Sequence, residues 1–328
     1  MKYRILGKTG FEVSEISLGT WQVGGKWGSK FDHALAEYII REAIDNGVNF
    51  LDTADVYSDG ESEKAVGKAV RESGAKVRVA TKCGRQINPH VNKGYTPEVL
   101  RGYVEDSLRR IGTDCIDLIQ LHCPPTEVYY RPEIFGEFEK LREEGKILNL
   151  GVSVEKVEEA IKAIEFDNVT TVQIIYNIFR QRPSEKFFAM AKEKNVGLII
   201  RVPLASGLLS GKFGPDTRFA PGDHRFFNRS GMFFDKGETF SGVPYETGLR
   251  AVARLKEIFP ENTPLAQVAL RWILLREEVS CIIPGASSPD QVGSNLGAME
   301  FSGFTKEQEM AVSTIYEEDI KPLVHQLW

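Results

Sequence analysis

Apolar, β-branched segments alternate with amphipathic helical segments along nearly the whole chain. Eight of the apolar segments have the length and composition of buried strands. They are ISLGT (16–20), VNFLDT (48–53), VRVATK (77–82), IDLIQL (116–121), ILNLGV (147–152), VQIIYN (172–177), GLIIRV (197–202) and CIIPG (281–285). Nearly continuous apolar strands separated by helices are typical of a parallel sheet covered by helices. Eight such repeats predict one domain over residues 1–328, a (β/α)8 TIM barrel of the α/β class.

The pattern adds three features to this barrel. KYRILG (2–7) and FEVSEI (11–16) flank a turn-rich tripeptide and predict an N-terminal β-hairpin. Residues 206–243, after the seventh strand, contain glycines, prolines and many phenylalanines without clear periodicity, and they predict a long loop. This loop either covers a site at that end of the barrel or forms a surface excursion with its own apolar cluster. Residues 303–328 predict extra C-terminal helices.

Composition and charge narrow the range of partners. Hydrophobic residues make up 42% and charged residues 27% of the chain, which is the globular range, and the net charge is −5. This charge argues against nucleic acid or an anionic membrane as the main partner. No apolar run approaches the ~20 residues that span a bilayer, and the N-terminus lacks the apolar region of a signal peptide. We therefore expect a cytoplasmic protein.

The four cysteines, Cys83, Cys115, Cys123 and Cys281, form no CxxC pair and no regular framework. Free thiols in a reducing compartment are therefore expected. Cys123 follows His122 directly, which raises the question of a metal-binding pair. Adjacent strand residues point to opposite faces of a sheet, so we expect no metal site here.

Titratable residues lie at the ends of three consecutive predicted strands. Asp52 ends VNFLD, with Tyr57 in the loop that follows. Lys82 ends VRVATK, and His122 ends IDLIQLH. The carboxyl ends of barrel strands meet in one pocket, so these four side chains can converge. Singly, each suits a structural role, as a turn cap, a wall aromatic, an ion pair or a buried histidine, but four at neighbouring strand ends favour a catalytic site.

Convergence of these residues suits acid–base chemistry on a carbonyl group. The Lys82 ammonium would lower the pKa of the Tyr57 hydroxyl by stabilising the phenolate, and Asp52 would hold Lys82 in place. His122 would donate a hydrogen bond that orients the substrate oxygen while Tyr57 delivers the proton. A different reaction also remains open, an isomerase or aldolase that uses Lys82 as a Schiff base.

Short motifs along the chain carry a family resemblance. They are LGTW (18–21), DTADVY (52–57), TK (81–82), IDLIQLH (116–122), GVS (151–153), QIIYN (173–177) and IIPGASSPDQVGSN (282–295). The chain resembles the aldo-keto reductases, in the branch similar to bacterial general-stress and inositol-type reductases and to potassium-channel β subunits. The resemblance implies reduction of aldehydes or ketones by a nicotinamide cofactor. It also implies a catalytic tetrad of Asp52, Tyr57, Lys82 and His122.

The resemblance further implies an extended dinucleotide across the carboxyl ends of the strands. The implied cofactor contacts are Thr20, Trp21, Asp52, Ser153, Gln173, Arg201, Pro203, Leu204, Ser206, Leu208, Ser210, Lys212, Gly285, Ser287, Gln291 and Asn295. NADP(H) is favoured and NAD(H) is the alternative, since serines and Gln291 stand where many NADPH-dependent members carry a basic residue. Val154 replaces an asparagine of the family. Arg201 replaces an aromatic residue, and its guanidinium would stack on the nicotinamide or bind a substrate oxyanion.

The substrate site implied by the resemblance is aromatic with a polar side. Its expected lining is Trp21, Trp27, Tyr57, His122 and Cys123, with Arg85 and Arg201 on the polar side and Phe226, Phe227 or Phe233 closing over it. Such walls suit small aldehydes and sugars equally, so a promiscuous carbonyl reductase and a sugar-type dehydrogenase both remain open. The branch implies a second class as well, a regulatory subunit that holds nucleotide and turns over slowly.

Overall fold

A computed structural model describes residues 1–25 and 29–328. Its strands are β1 (Tyr3–Ile5), β2 (Glu12–Ser14), β3 (Leu18–Gly19), β4 (Phe50–Asp52), β5 (Arg78–Cys83), β6 (Ile116–His122), β7 (Ile147–Ser153), β8 (Val169–Ile175), β9 (Gly197–Arg201) and β10 (Val279–Ile282). Strands β3 to β10 pair in parallel in chain order. Bridges from Ile16 to Ile282 and from Gly19 to Gly285 join the last strand to the first. The sheet therefore closes, and the predicted barrel is confirmed.

Helices lie between the strands and cover the outside of the barrel. They are α1 (His33–Asp45), α2 (Glu61–Ser73), α3 (Pro97–Ile111), α4 (Pro132–Glu143), α5 (Val157–Ala163), α6 (Phe187–Glu193), α7 (His224–Phe227), α8 (Tyr245–Ile258), α9 (Leu265–Ile273), α10 (Pro289–Leu296), α11 (Lys306–Ile315) and α12 (Lys321–Val324). The Thr96 side chain accepts from the Val99 amide and caps α3. Within the described residues, no helix is long and apolar enough to cross a membrane.

The amino-terminal end of the barrel is closed by the predicted hairpin. Strands β1 and β2 pair antiparallel. Leu6 and Val13, on either side of the turn, are fully buried in one cluster with Phe50, Ala80 and Leu118 from three barrel strands. This apolar plug closes the lower part of the barrel and leaves the carboxyl ends of the strands as the open end.

The long segment after β9 folds back onto the carboxyl end of the barrel. It begins with a 3-10 turn, Ala205–Ser210, and reaches α8 through α7 and further short turns. The Ser206 hydroxyl donates to the Glu238 carbonyl at 2.9 Å and accepts from the Phe240 amide at 3.1 Å. The Asn177 amide donates to the Ser241 hydroxyl at 2.8 Å. These bonds fasten the two ends of the segment to each other and to the barrel.

Candidate active site

A polar layer lies above the apolar plug inside the barrel. Side chains alternate along a strand, so the residues two positions beyond the plug also point inward. Asp52, Lys82 and Gln120 occupy these positions on β4, β5 and β6, and all three are buried. Burying charges at these positions is costly unless they pair with one another, which they do.

Lys82 is the centre of this layer. Its ammonium donates to the Asp52 carboxylate, to the Thr53 carbonyl at 2.8 Å and to the Tyr57 hydroxyl at 3.4 Å. Burial alone would lower the pKa of Lys82, but Asp52 and Tyr57 outweigh burial and raise it. The lysine therefore remains an ammonium ion, a state that cannot attack a carbonyl to form a Schiff base.

Asp52 is held from the side opposite Lys82 by two glutamine amides. Gln120 and Gln173 donate to one carboxylate oxygen at 3.0 and 2.8 Å, and Gln173 also donates to the Gln120 carbonyl oxygen at 3.1 Å. Gln120 is absent from the residues predicted from the sequence. It lies two residues before His122, on the same face of β6, but that position alone does not distinguish a site residue from a structural amide.

Tyr57 and His122 face each other above the lysine. Their ring centroids lie 6.0 Å apart at an interplanar angle of 83°. Burial raises the pKa of Tyr57, while the Lys82 ammonium acts in the opposite direction. The ammonium therefore has the effect expected from the sequence, but burial outweighs it. Tyr57 consequently carries its proton at neutral pH.

His122 is a neutral imidazole in this setting. Burial lowers its pKa well below the usual range, and the positive charges of Arg85, Lys82 and Arg201 lower it further. Its Nδ1 atom is buried without a hydrogen-bond partner in the described part of the chain. A neutral ring has one donor and one acceptor nitrogen, so His122 can donate to a ligand oxygen.

A cavity of about 610 Å³ opens above these side chains. Most residues predicted from the sequence to contact cofactor or substrate line it, namely Thr20, Trp21, Asp52, Tyr57, His122, Gln173, Arg201, Pro203, Leu204, Ser206, Ser210, Lys212, Gly285, Gln291 and Asn295. The cavity runs from Tyr57 and His122 past the 3-10 turn after β9 to the start of α10. A single extended groove therefore joins the polar layer to the loop after β10.

Five of the residues predicted as catalytic, cofactor or substrate contacts lie off the lining of this cavity. Lys82 lies behind Tyr57, and Leu208 is buried against Gly248 of α8. Ser153 and Cys123 are buried behind the wall, with their oxygen and sulphur atoms 3.6 Å apart. Ser287 donates its amide to the Gln291 side-chain oxygen at 2.7 Å instead of facing the cavity. Trp27 lies outside the described residues.

The long segment forms one wall of the cavity, but through other aromatic residues than those predicted. Phe226 and Phe233 are exposed, and Phe227 packs on Phe233 with a centroid distance of 5.0 Å. Phe234 lies on the cavity instead, 6.3 Å from the ring of Trp21. His224 lies there too, 5.1 Å from Trp21. The density of aromatic residues in the sequence indicated this segment. It did not indicate which of those residues point into the cavity.

Arg85, Arg201 and Glu238 form an ion cluster on the cavity beside Tyr57 and His122. Glu238 lies 3.1 Å from Arg85 and 3.5 Å from Arg201. Arg201 also donates to the Val154 carbonyl at 2.9 Å, which fixes it against β7. The ion pair of Glu238 and Arg85 joins the long segment to the barrel. No sequence motif links these two residues.

Three side chains of metal-binding type, one thiol and two carboxylates, meet at this cluster. Atoms of Cys123, Glu155 and Glu238 lie within 4.8 Å of one another. Burial raises the pKa of the Cys123 thiol to about 11, so it is not a thiolate at neutral pH. The guanidinium groups of Arg85 and Arg201 already provide Glu238 with positive charge. The group is better described as an ion cluster than as a metal centre.

A barrel with this polar layer at the carboxyl ends of its strands suits an oxidoreductase that acts on carbonyl compounds and alcohols. The model of the aldo/keto reductase family matches residues 15–317, and the chain belongs to that family. The predicted family resemblance is thus confirmed.

Relatives from bacteria and plants match over more than nine tenths of the chain. "Aldo-keto reductase YhdN" of Bacillus subtilis is 31% identical, over 98% of this chain and 95% of its own. The "NADH-specific methylglyoxal reductase" of Escherichia coli is 27% identical, over 92% and 94%. A "probable voltage-gated potassium channel subunit beta" of Arabidopsis thaliana is 30% identical, over 92% of each chain. The relatives thus include both kinds of protein named for the predicted branch, bacterial reductases and potassium-channel β subunits.

Two solved structures share the fold along the chain. The glycerol dehydrogenase of Gluconobacter oxydans is 31% identical with a TM-score of 0.78, over 97% of this chain and 95% of its own. The holo form of an aldo-keto reductase of Bacillus halodurans is 29% identical with a TM-score of 0.76, over 96% of each. Family and neighbours imply a nicotinamide cofactor.

The residues on the cavity fit such a cofactor. Gln173 and Asn295 present amide groups at opposite ends of the groove, and Lys212 presents a cation between them. The Nε atom of Arg201 is buried without a hydrogen-bond partner among the described residues. A buried donor without a partner is costly, and a ligand oxygen on this cavity would satisfy it.

Proposed function

We propose that the protein is an NADP(H)-dependent oxidoreductase that reduces aldehydes or ketones, or oxidises the corresponding alcohols or sugars. The observation that carries this proposal is the convergence of Lys82, Asp52, Tyr57 and His122 at one end of the cavity. The four act as the catalytic residues, with Tyr57 as general acid in reduction and general base in oxidation.

Each of these side chains has a role that follows from its contacts. His122, neutral, donates a hydrogen bond to the carbonyl oxygen and orients it. Tyr57 holds a proton at its hydroxyl oxygen and transfers it to that oxygen. A nicotinamide cofactor held in the groove would supply the hydride for the carbonyl carbon. The Lys82 ammonium stabilises the resulting phenolate, and Asp52 keeps Lys82 charged and fixed.

The proposed cofactor contacts follow the groove. The nicotinamide end is surrounded by Thr20, Trp21, Asp52, Gln173 and Arg201. Ser153 supports this end from its buried position behind the cavity wall. The segment from Pro203 to Lys212 follows the diphosphate, and Gly285, Ser287, Gln291 and Asn295 hold the adenosine end. The Gln291 oxygen accepts from the Ser287 amide and hydroxyl, which leaves its NH2 donor for the cavity. A donor at this place suits the 2′-phosphate of NADP(H).

Binding titrations test the cofactor proposal. Trp21 lies on the cavity, so tryptophan fluorescence should be quenched by NADPH in a saturable way and more weakly by NADH. Gln291→Glu should reverse this preference, because a carboxylate repels the 2′-phosphate. Gln326→Glu, on the exposed C-terminal turn, adds the same charge away from the cavity and is the control. If the wild type bound NADH more tightly than NADPH, the proposed cofactor would be NAD(H) instead of NADP(H).

Turnover tests the reaction itself. A panel of small aldehydes, ketones and sugars should be reduced over many cycles with the preferred nucleotide. No turnover with any carbonyl compound and either nucleotide would contradict the proposed reaction.

A second candidate is a nucleotide-holding regulatory subunit. It is favoured by the 30% identity to a channel β subunit and by the bonds that hold the segment over the groove. Such a protein would bind nucleotide tightly and release it slowly. Single-turnover and steady-state rates separate the two candidates. A fast first turnover followed by slow cycles limited by nucleotide release would favour the regulatory subunit.

A further inference from the structure

The cluster of Arg85, Arg201 and Glu238 lies at the reaction end of the cavity and has no part in the proton transfer proposed above. Arg85 follows β5, Arg201 ends β9, and Glu238 belongs to the long segment. All three line the cavity together with Tyr57 and His122. A charged group that the substrate carries beyond its carbonyl would therefore meet this cluster on the same cavity.

Positive charge exceeds negative charge in this cluster. One carboxylate oxygen of Glu238 serves both guanidinium groups, at 3.1 Å from Arg85 and 3.5 Å from Arg201. Glu155 is a second acidic side chain close to Glu238. Burial and the nearby Asp235 and Glu238 raise its pKa to about 8. Glu155 is therefore mostly protonated at neutral pH. Two guanidinium cations share a single full negative charge.

Hydrogen-bonding capacity also exceeds what the protein satisfies. Arg201 is only 8% exposed, yet its Nε atom has no hydrogen-bond partner in the described ranges. Its ion-pair distance to Glu238, 3.5 Å, is longer than a good hydrogen bond. Leaving a buried charged donor unsatisfied is costly, and a ligand oxyanion would remove that cost.

We propose that Arg85 and Arg201 bind an oxyanion group, a carboxylate or a phosphate, carried by the carbonyl substrate. The substrate class is then acidic aldehydes or ketones rather than neutral ones. A guanidinium presents two parallel N–H donors that match the two oxygens of such a group. Glu238 positions both arginines and competes with the substrate for them. This inference rests on the proposed function, because it assigns the substrate of the same site.

Matched substrate pairs test the proposal. Succinic semialdehyde is compared with butanal, and glyceraldehyde 3-phosphate with glyceraldehyde, using kcat/KM. In at least one pair, kcat/KM of the acidic member should exceed that of the neutral member by about tenfold or more. The pair that shows this preference tells whether the site binds a carboxylate or a phosphate. The preference should fall at high ionic strength because charge attraction is screened.

Two substitutions should move this preference in opposite directions. Arg85→Gln removes one cation and should lower the ratio of kcat/KM, acidic over neutral substrate, towards one. Glu238→Gln removes the competing charge and should raise the ratio. Arg250→Gln, an exposed arginine of α8 off this cavity, removes the same charge and should leave the ratio unchanged. A merely structural role of the cluster would lower turnover of both members of a pair equally.

Calorimetry gives a readout that does not depend on turnover. The wild-type protein should bind succinate measurably and 1,4-butanediol not at all, and Arg85→Gln should lose succinate binding. Equal kcat/KM within both pairs, unchanged in Arg85→Gln, would overturn the inference while leaving the proposed function intact. Absence of turnover with every substrate would contradict the proposed function, and succinate binding would then still decide on the anion site.

Discussion

The Lys82 ammonium nitrogen lies 3.4 Å from the Tyr57 hydroxyl oxygen and 5.0 Å from the centre of the Tyr57 ring. At this distance the hydrogen bond is weak, and the coupling between the two residues is mainly electrostatic. The ammonium does little for the neutral phenol but stabilises the phenolate strongly in a buried setting. The pair therefore favours the charge that forms when Tyr57 gives up its proton.

Tyr57→Phe removes the proton donor and keeps the ring. We expect kcat for carbonyl reduction to fall by about 10²–10⁴-fold, the usual contribution of a general acid. Nucleotide affinity should stay unchanged, since the proposed role of the hydroxyl is proton transfer to the substrate. Steady-state kinetics and fluorescence titration measure the two quantities. Tyr38→Phe, an exposed tyrosine of α1, is the control. Retention of full kcat in Tyr57→Phe would show that the proton comes from another group.

Lys82→Met replaces the ammonium by an apolar side chain of similar length. It leaves the Asp52 carboxylate buried with only the amides of Gln120 and Gln173, so the free energy of unfolding should fall by about 3–5 kcal/mol. Because Lys82 lowers the pKa of Tyr57, its loss should move the pH profile of alcohol oxidation to higher pH. Urea unfolding and pH–rate profiles measure these effects.

The control for Lys82→Met is Lys192→Met at the surface. Lys192 pairs with Glu277, and both side chains are exposed. A surface pair contributes about 0–1 kcal/mol, so stability should hardly change. If Lys82→Met shifted stability but left the pH–rate profile in place, Lys82 would be a structural residue only.

Asp55 is a fully buried carboxyl whose two oxygens have no hydrogen-bond partner among the residues described. Burial and the nearby Glu63 raise its pKa from an ordinary 3.8 to about 7. The folded protein thus keeps a proton that the unfolded chain releases between about pH 4 and 7. The free energy of unfolding therefore falls as pH rises through this window, by about 4 kcal/mol at most.

Asp55→Asn removes this titration. The difference in unfolding free energy, variant minus wild type, should increase as pH rises towards about 7 and level off above it. Urea unfolding over a pH series measures that difference. Asp59→Asn, an exposed aspartate nearby in the same loop, is the control and should show no such trend. A difference independent of pH would mean that Asp55 is ionised in the folded protein or well solvated.

The sequence predicted the barrel strands because each is buried on both sides and therefore reads as a continuous apolar run. It predicted the polar layer only in part. Gln120 was missed because a lone amide inside an apolar run carries no signal until its partner on another strand is known. Glu238 was missed because the contact between the long segment and Arg85 depends on folding of that segment. Leu208 was predicted to contact the cofactor, and its side chain packs against Gly248 of α8, a contact that the sequence does not indicate.

Trp328 holds the part of the long segment that carries Glu238. It is only 6% exposed, and the Arg180 guanidinium lies 4.2 Å from the centre of its ring. A methyl group added to Gly242 would collide with the same ring, which shows how closely the segment packs on it. Trp328→Ala would leave a cavity beneath the segment.

We expect Trp328→Ala to lower the free energy of unfolding by about 3–5 kcal/mol, as for other buried tryptophans. The loosened segment should be cut faster by trypsin between residues 206 and 243, and nucleotide should dissociate faster because Glu238 no longer fixes that wall. Thermal unfolding, limited proteolysis and stopped-flow displacement measure these effects. Leu327→Ala, at a half-exposed neighbour, is the control. Loss of stability without faster nucleotide release would mean that the segment does not control release.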